Sequence, residues 1–93
     1  MTSYDEALEA LRTAVEIMKG RGDLYTTEPR EVAPVESIEG VILYKAHRAF
    51  YGNSTTKKID EYLDIINYSA FAIAKLKKKV AEDVKTQVKK NQT

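Results

Sequence analysis

The chain has no cysteine and only one histidine, His47, among its 93 residues. It therefore forms no disulfide and offers no thiolate metal ligand, which suits a reducing compartment. A single histidine argues against a histidine-rich zinc site. No apolar run approaches the length of a membrane span, and the acidic, amphipathic start of the sequence is unlike a signal peptide. Together these absences predict a cytoplasmic protein without a membrane partner.

Charge is distributed unevenly along the chain, although the formal net charge is only +1. Residues 75–93 carry seven lysines and two acidic residues, whereas residues 1–74 carry more acidic than basic residues. An acidic body with a basic end is not typical of a nucleic-acid-binding domain, so we expect no nucleic acid partner. We interpret the basic end as a solvated helix terminus, where lysines complement the helix dipole.

Apolar residues recur with a helical period over most of the chain, and no segment of useful length alternates as a strand does. Ser3 and Glu6 form a capping-box pattern at the start of the first helix. Helices are predicted at about residues 4–19, 35–51 and 56–77, followed by a helical tail at 78–90, with a loop over 20–34. The tail either continues the third helix or forms a short fourth helix.

The length and composition predict a single domain over residues 1–93. Its fold class is all-α, a small antiparallel bundle of three to four helices. A chain this short buries a marginal core, and we therefore expect oligomerisation to complete the bundle.

Two pairs of acidic residues stand near the starts of the predicted second and third helices. Glu36 and Glu39 are three residues apart, as are Glu61 and Asp64. Residues at this spacing project from nearly the same face of a helix, so antiparallel or crossing helices would bring four carboxylates together. Four carboxylates cannot all remain ionised without compensation, which a hard cation such as Mg²⁺ or Mn²⁺ provides. The pairs therefore predict a metal site that bridges to substrate phosphates.

A second interpretation of these acids needs no ligand. Acidic residues in the first turn of a helix complement its dipole, and Glu36, Asp60 and Glu61 fit that explanation. Glu39 and Asp64 fit it less well, because their neighbours are apolar and a carboxylate in apolar surroundings needs a partner or a metal. The metal interpretation therefore depends most on these two residues.

The order of the acidic pairs resembles a family signature. Glu36-Ser-Ile-Glu39 and Glu61-Tyr-Leu-Asp64, with twenty-one residues between them, resemble the E-x-x-E…E-x-x-D signature of the MazG-like all-α nucleoside triphosphate pyrophosphohydrolases. The spacing falls within the range that this family accommodates. The resemblance covers roughly residues 34–76 of the chain.

Two further segments carry the same resemblance. The stretch from Asp60 to Tyr68 is similar to the third-helix motif of small phage- and virus-type members of that family. Lys45-Ala-His-Arg48 is similar to the K-x-x-R that these members have on the preceding helix.

The resemblance implies Mg²⁺-dependent cleavage of a ribo- or deoxynucleoside triphosphate into the monophosphate and pyrophosphate. The metal ligands that it implies are Glu36, Glu39, Glu61 and Asp64. The catalytic residues are Glu39, Glu61 and Asp64, with one of the acids or Asp60 orienting the attacking water. The phosphate- and nucleotide-binding residues are Lys45, Arg48, Lys75, Asn67 and Tyr68. Members of the family are typically dimers or tetramers, so a homo-oligomer is the expected assembly.

Other functions fit parts of the sequence. Helical periodicity places Glu36 and Glu39 away from Lys45 and Arg48, so a site with both sets needs a neighbouring subunit or a ligand that wraps around the helix. A helical oligomer or binding module without catalysis fits the apolar stripes alone. A helix-turn-helix DNA binder fits the turn over residues 53–56, but the acids that follow would be repelled by phosphates.

Overall fold

The computed structural model describes residues 1–21 and 34–91, apart from the side chains of residues 88–91. These residues form three helices: α1 (Ser3–Gly20), α2 (Val35–Tyr51) and α3 (Thr55–Asn91). No strand occurs in these two ranges, which confirms the all-α prediction. The predicted tail at 78–90 belongs to α3, since neither glycine nor proline interrupts the 37 residues of this helix. Most of the predicted loop over 20–34 lies outside the described residues.

The first helix begins with a capping box one residue earlier than the sequence predicted. Thr2 is in an extended conformation, and its hydroxyl accepts a hydrogen bond from the Asp5 backbone N–H at 3.2 Å. The Asp5 carboxylate in turn accepts from the Thr2 backbone N–H at 3.1 Å. The prediction of Ser3 and Glu6 was therefore wrong by one position, because Ser3 is already helical and threonine caps as serine does.

A tight connection joins α2 to α3. The second helix starts after Pro34, whose fixed backbone suits a helix start, and ends at Gly52 as predicted. A β-carbon at position 52 would lie 2.7 Å from the carbonyl oxygen of Arg48. Glycine is therefore required there by the close approach of the backbone. The Ser54 hydroxyl then accepts from the Lys57 backbone N–H at 3.3 Å and caps α3.

The three helices meet through small side chains. α2 runs antiparallel to α3, and α1 packs on another side of α3. Ala14, Ala49 and Ala72 are the buried apolar residues among those described, one from each helix. Alanine contacts let helix axes approach closely but bury little apolar area per residue.

Many large apolar side chains remain exposed. α3 extends well beyond α2: its 37 residues span about 56 Å, in a molecule whose longest dimension is 58 Å. Tyr4, Leu43, Phe50 and Val80 are each more than 60% exposed. No described helix combines the length and the apolar character needed to cross a bilayer. A single chain therefore leaves much apolar surface uncovered, which favours association.

Candidate functional site

Charged side chains from two helices converge where α2 faces the first half of α3. The Lys45 ammonium donates a hydrogen bond to Asp64 Oδ2 at 2.9 Å and lies 3.5 Å from Glu61 Oε2. The Arg48 guanidinium lies 3.1 Å from Glu61 Oε1. The E-x-x-D pair and the K-x-x-R pair named in the sequence are therefore neighbours in one chain.

Matching spacings explain this convergence. Lys45 and Arg48 are three residues apart on α2, and Glu61 and Asp64 are three apart on α3. Each pair projects from one face of its helix, and antiparallel packing sets Lys45 against Asp64 and Arg48 against Glu61. The turn after α2 fixes this register.

A third helix contributes to the same place. The Arg21 guanidinium, just past the end of α1, lies 3.9 Å from Asp64 Oδ1. We call these five side chains the ion-pair cluster: Arg21, Lys45, Arg48, Glu61 and Asp64. Its three cations outnumber its two carboxylates, so the cluster carries a surplus positive charge that favours anions.

The carboxylates of the cluster are largely removed from water. The Glu61 side chain is 11% exposed and that of Asp64 is 22% exposed, while Lys45 is 18% exposed. The hydrogen bond to Asp64 raises the pKa of Lys45 above its usual value, although partial burial acts in the opposite direction. Lys45 is therefore held as a cation by its partners.

One oxygen of the cluster has spare acceptor capacity. Glu61 Oε2 is buried and accepts no hydrogen bond from the described residues. The Lys45 ammonium, at 3.5 Å, attracts it as an ion at the outer limit of hydrogen-bonding distance. A buried carboxylate oxygen without a hydrogen bond is costly, and a small cation or a donor would satisfy it.

A cavity of about 260 Å³ opens beside the Arg48 end of the cluster. Both members of the Arg48–Glu61 ion pair line it, as do Lys57 and Lys58 from the first turn of α3. Three cations against one carboxylate make this cavity positive. The N-terminus of α3 adds the partial positive charge of its helix dipole. Phosphate-like anions are the ligands that such a cavity favours.

Glu36 and Glu39 do not join the cluster. Both are exposed in the first turns of α2, and Glu36 is twelve residues from Arg48, or about 18 Å along the helix. Within the residues that the structure describes, no three acidic or histidine side chains lie close enough to hold a metal ion. Antiparallel packing thus separates the two acidic pairs within a single chain.

Other predicted residues lie elsewhere along the same helix pair. Tyr68 and Lys75 line a groove of about 710 Å³ between the start of α2 and the middle of α3, and Glu36 lies at the same groove. Tyr68 follows Asp64 by one turn, about 6 Å along α3, so the near end of the groove lies about one helical turn from the cluster. The predicted nucleotide contacts therefore divide between two neighbouring places.

Asn67 belongs to the packing of α1 rather than to either cavity. Its side chain amide donates a hydrogen bond to the Ala14 carbonyl oxygen at 3.0 Å, and the residue is 1% exposed. This burial does not fit the predicted contact with a nucleotide. The helical carbonyl of Ala14 instead satisfies the buried amide of Asn67 where two helices approach closely.

Sequence reasoning missed three residues of this region. Arg21 was not among the predicted site residues, because it follows the end of α1 and nothing in its local pattern indicates its partner. Lys57 and Lys58 were not among the predicted site residues either, although their position directly after a tight turn was a usable signal. Comparison with protein-family models, curated proteins and solved structures finds no match to this chain.

Proposed function

We propose that the chain is a Mg²⁺-dependent nucleotide pyrophosphohydrolase that acts as a homo-oligomer on ribo- or deoxynucleoside triphosphates. One observation carries the proposal: the E-x-x-D and K-x-x-R pairs, which the sequence suggested separately, lie within ion-pair distance of each other. The resemblance to MazG-like enzymes supplies the reaction class. The ion-pair cluster supplies carboxylates and cations, which are the side chains that this reaction class uses.

Phosphate binding is supported by the positive cavity beside the cluster. Arg48, Lys57 and Lys58 line it, and an arginine side chain can donate two parallel hydrogen bonds to one phosphate. Neutralising the phosphates lowers the repulsion that an attacking water oxygen meets. Arg48 is half exposed, so its guanidinium has room to turn from Glu61 towards a ligand.

Mg²⁺, arriving with the substrate phosphates, would be held by Glu61 and Asp64 in a reduced form of the predicted site, beside the cations that already pair with these carboxylates. Mg²⁺ is commonly bound through one or two carboxylates together with substrate phosphates and water. Glu61 and Asp64 are such a pair, and the buried Glu61 Oε2 has no hydrogen bond to lose. When bound, the metal supplies charge neutralisation at the phosphates. Glu36 and Glu39 would take part only from a second chain.

The protein's own side chains can accept the proton that the attacking water loses. In hydrolysis a water oxygen bonds to the α-phosphorus, the bridging bond to the β-phosphate breaks, and pyrophosphate leaves. Asp64 is the more exposed carboxylate and suits orienting that water and accepting its proton. Lys45 holds Asp64 in position through its 2.9 Å hydrogen bond. Lys45 is therefore a positioning residue in this scheme.

The direct test is pyrophosphate release from a panel of nucleoside triphosphates with Mg²⁺ or Mn²⁺. Glu61→Gln and Asp64→Asn should each lower the rate by about a hundredfold or more, the typical loss when a transition-state contact is removed. Glu16→Gln, an exposed acid on α1, is the matched control and should keep the wild-type rate. Absence of release with every nucleotide, or equal rates in Glu61→Gln, would contradict the proposal.

A second candidate is a helical oligomer or binding module without catalysis. It is favoured by the exposed apolar side chains on all three helices, since none of the buried apolar residues described is larger than alanine. In this case the cluster is a structural ion network. The double variant Glu61→Gln with Asp64→Asn would then change stability and nothing else. Size-exclusion chromatography with light scattering would show assembly that is independent of metal and nucleotide.

A further inference from the structure

The side of α3 that faces away from α2 carries an apolar stripe, with Ser69 near its middle. Six of its large side chains are between 45% and 62% exposed, and a seventh, Ile66, is half-buried. We call these residues the outer stripe: Ile59, Tyr62, Ile66, Ile73, Leu76, Val80 and Val84. It runs for about 38 Å along the helix. Asp64 and Phe71, which face α2 or its groove, project from the opposite side.

The shape of the outer stripe suits one partner helix. At about 100° per residue its members fall within an arc of about 100°, close to the width of a coiled-coil seam. A helix that lies on an anionic membrane has a broader apolar face and a basic polar face. Here Glu82 and Asp83 interrupt the basic residues of the second half of α3. These features favour a protein helix as the occupant.

Charge favours a second copy of α3 in antiparallel orientation. A parallel pair would set Lys77, which borders the stripe, level with Lys77 of the other copy. An antiparallel pair centred between Ala70 and Phe71 instead sets Asp83 level with Lys58 of the second copy. Asp83 and Lys58 border the stripe on the same edge. The two-fold axis of an antiparallel dimer therefore forms this ion pair twice, once from each copy.

The apolar positions interlock in the same register. Tyr62 falls beside Val80 of the second copy, and Ile66 falls beside its Leu76. Along the seam, side chains from the two copies alternate, which is the arrangement of knobs packing into holes. We infer that the outer stripe is an isologous interface in which two copies of α3 pair antiparallel about a centre between residues 70 and 71. This inference does not depend on catalysis.

Disulfide trapping tests the register directly, because the chain contains no cysteine. Tyr62→Cys and Val80→Cys are prepared as separate full-length proteins, mixed in equal amounts and oxidised. The mixture should give a cross-linked dimer, whereas each variant alone should stay uncrosslinked, since its own cysteines are far apart in this register. Lys78→Cys mixed with Tyr62→Cys is the matched control. In this register residue 78 is level with Tyr62 of the second copy but projects from the other side of α3, so this mixture should give no cross-link.

Other outcomes would overturn the inference. Val80→Cys cross-linking to itself would indicate a parallel pair or one centred on the end of α3. Absence of any cross-link would show that the stripe does not pair in this way.

Sedimentation equilibrium gives an independent readout. Ile73→Glu should weaken dimerisation by roughly a hundredfold, because symmetry buries the carboxylate twice. Lys85→Glu, away from the stripe, should leave it unchanged. An unaltered dimer in Ile73→Glu, or a monomer that binds anionic vesicles, would also contradict the inference.

Discussion

Replacing Lys45 with methionine tests the ion-pair cluster most sharply. Methionine keeps most of the volume of the lysine stem but removes its ammonium group. Asp64 then loses a 2.9 Å hydrogen bond, and Glu61 loses the nearer charge at its buried Oε2. Two carboxylates 11% and 22% exposed would remain with only the two arginines beside them.

The expected loss of stability follows from these contacts. A hydrogen bond to a charged group contributes about 1.5–3 kcal/mol, and breaking a fully buried ion pair costs about 3–5 kcal/mol. The residues of the cluster retain some contact with water, and Arg48 still neutralises Glu61. We therefore expect Lys45→Met to lower the free energy of unfolding by about 2 kcal/mol.

Urea denaturation at a fixed chain concentration measures this difference, since association would otherwise shift the apparent stability. Lys19→Met is the matched control. Lys19 pairs with Glu16 at 3.5 Å, but both side chains are at least 70% exposed, so the loss should be below about 0.5 kcal/mol. A double-mutant cycle of Lys45→Met with Asp64→Asn should give a coupling of about 1 kcal/mol or more. Wild-type stability in Lys45→Met, or no coupling, would refute the reasoning.

Three further outcomes are expected. The stability difference between wild type and Lys45→Met should persist at neutral pH and close as pH rises above the usual lysine value of 10.5, because the hydrogen bond to Asp64 raises the pKa of Lys45 in the folded state. A pH series of urea melts measures this. Asn67→Leu should cost about 0.5–1.5 kcal/mol by removing the hydrogen bond that Asn67 adds to the Ala14 carbonyl oxygen, and hydrogen exchange should then increase in α1. Gly52→Ala should lower the free energy of unfolding by about 1–2 kcal/mol in the same urea melts, because the added β-carbon would lie too close to the Arg48 carbonyl oxygen. Wild-type stability in this variant would show that the turn adjusts without cost and would contradict this prediction.

The helices could be predicted from the sequence because their signals are local. Apolar period, Pro34 and Gly52 set the bounds of α2, and the structure keeps them. The start of α1 was missed by one residue, because Ser3 with Glu6 is the stronger capping pattern by sequence, whereas the structure forms the box with Thr2 and Asp5. The sequence did not decide whether the tail was a separate helix or part of α3. It contains no helix-stop residue near residue 78, which favours one helix, but it also indicates no other helix long enough to pack along the tail.

The site was less predictable because it depends on which faces meet. Spacing alone indicated that Glu61 and Asp64 share a face, and likewise Lys45 and Arg48. It did not indicate that these two faces oppose each other, which follows from the tight turn and the antiparallel register of α2 and α3. The same register separates Glu36 from Glu61. The metal, the nucleotide, the oligomer and the cytoplasmic location stay predictions.

Thermal melting with and without Mg²⁺ or Mn²⁺, across ribo- and deoxynucleoside triphosphates, tests the central claim most directly. A ligand at a hundredfold excess over its dissociation constant stabilises the folded state by about 2.7 kcal/mol, which raises the midpoint of a small domain by about ten degrees or more. The account predicts a rise that requires metal and nucleotide together and disappears in Glu61→Gln. No rise with any metal and nucleotide at about millimolar concentration, in a folded wild-type protein, would contradict it.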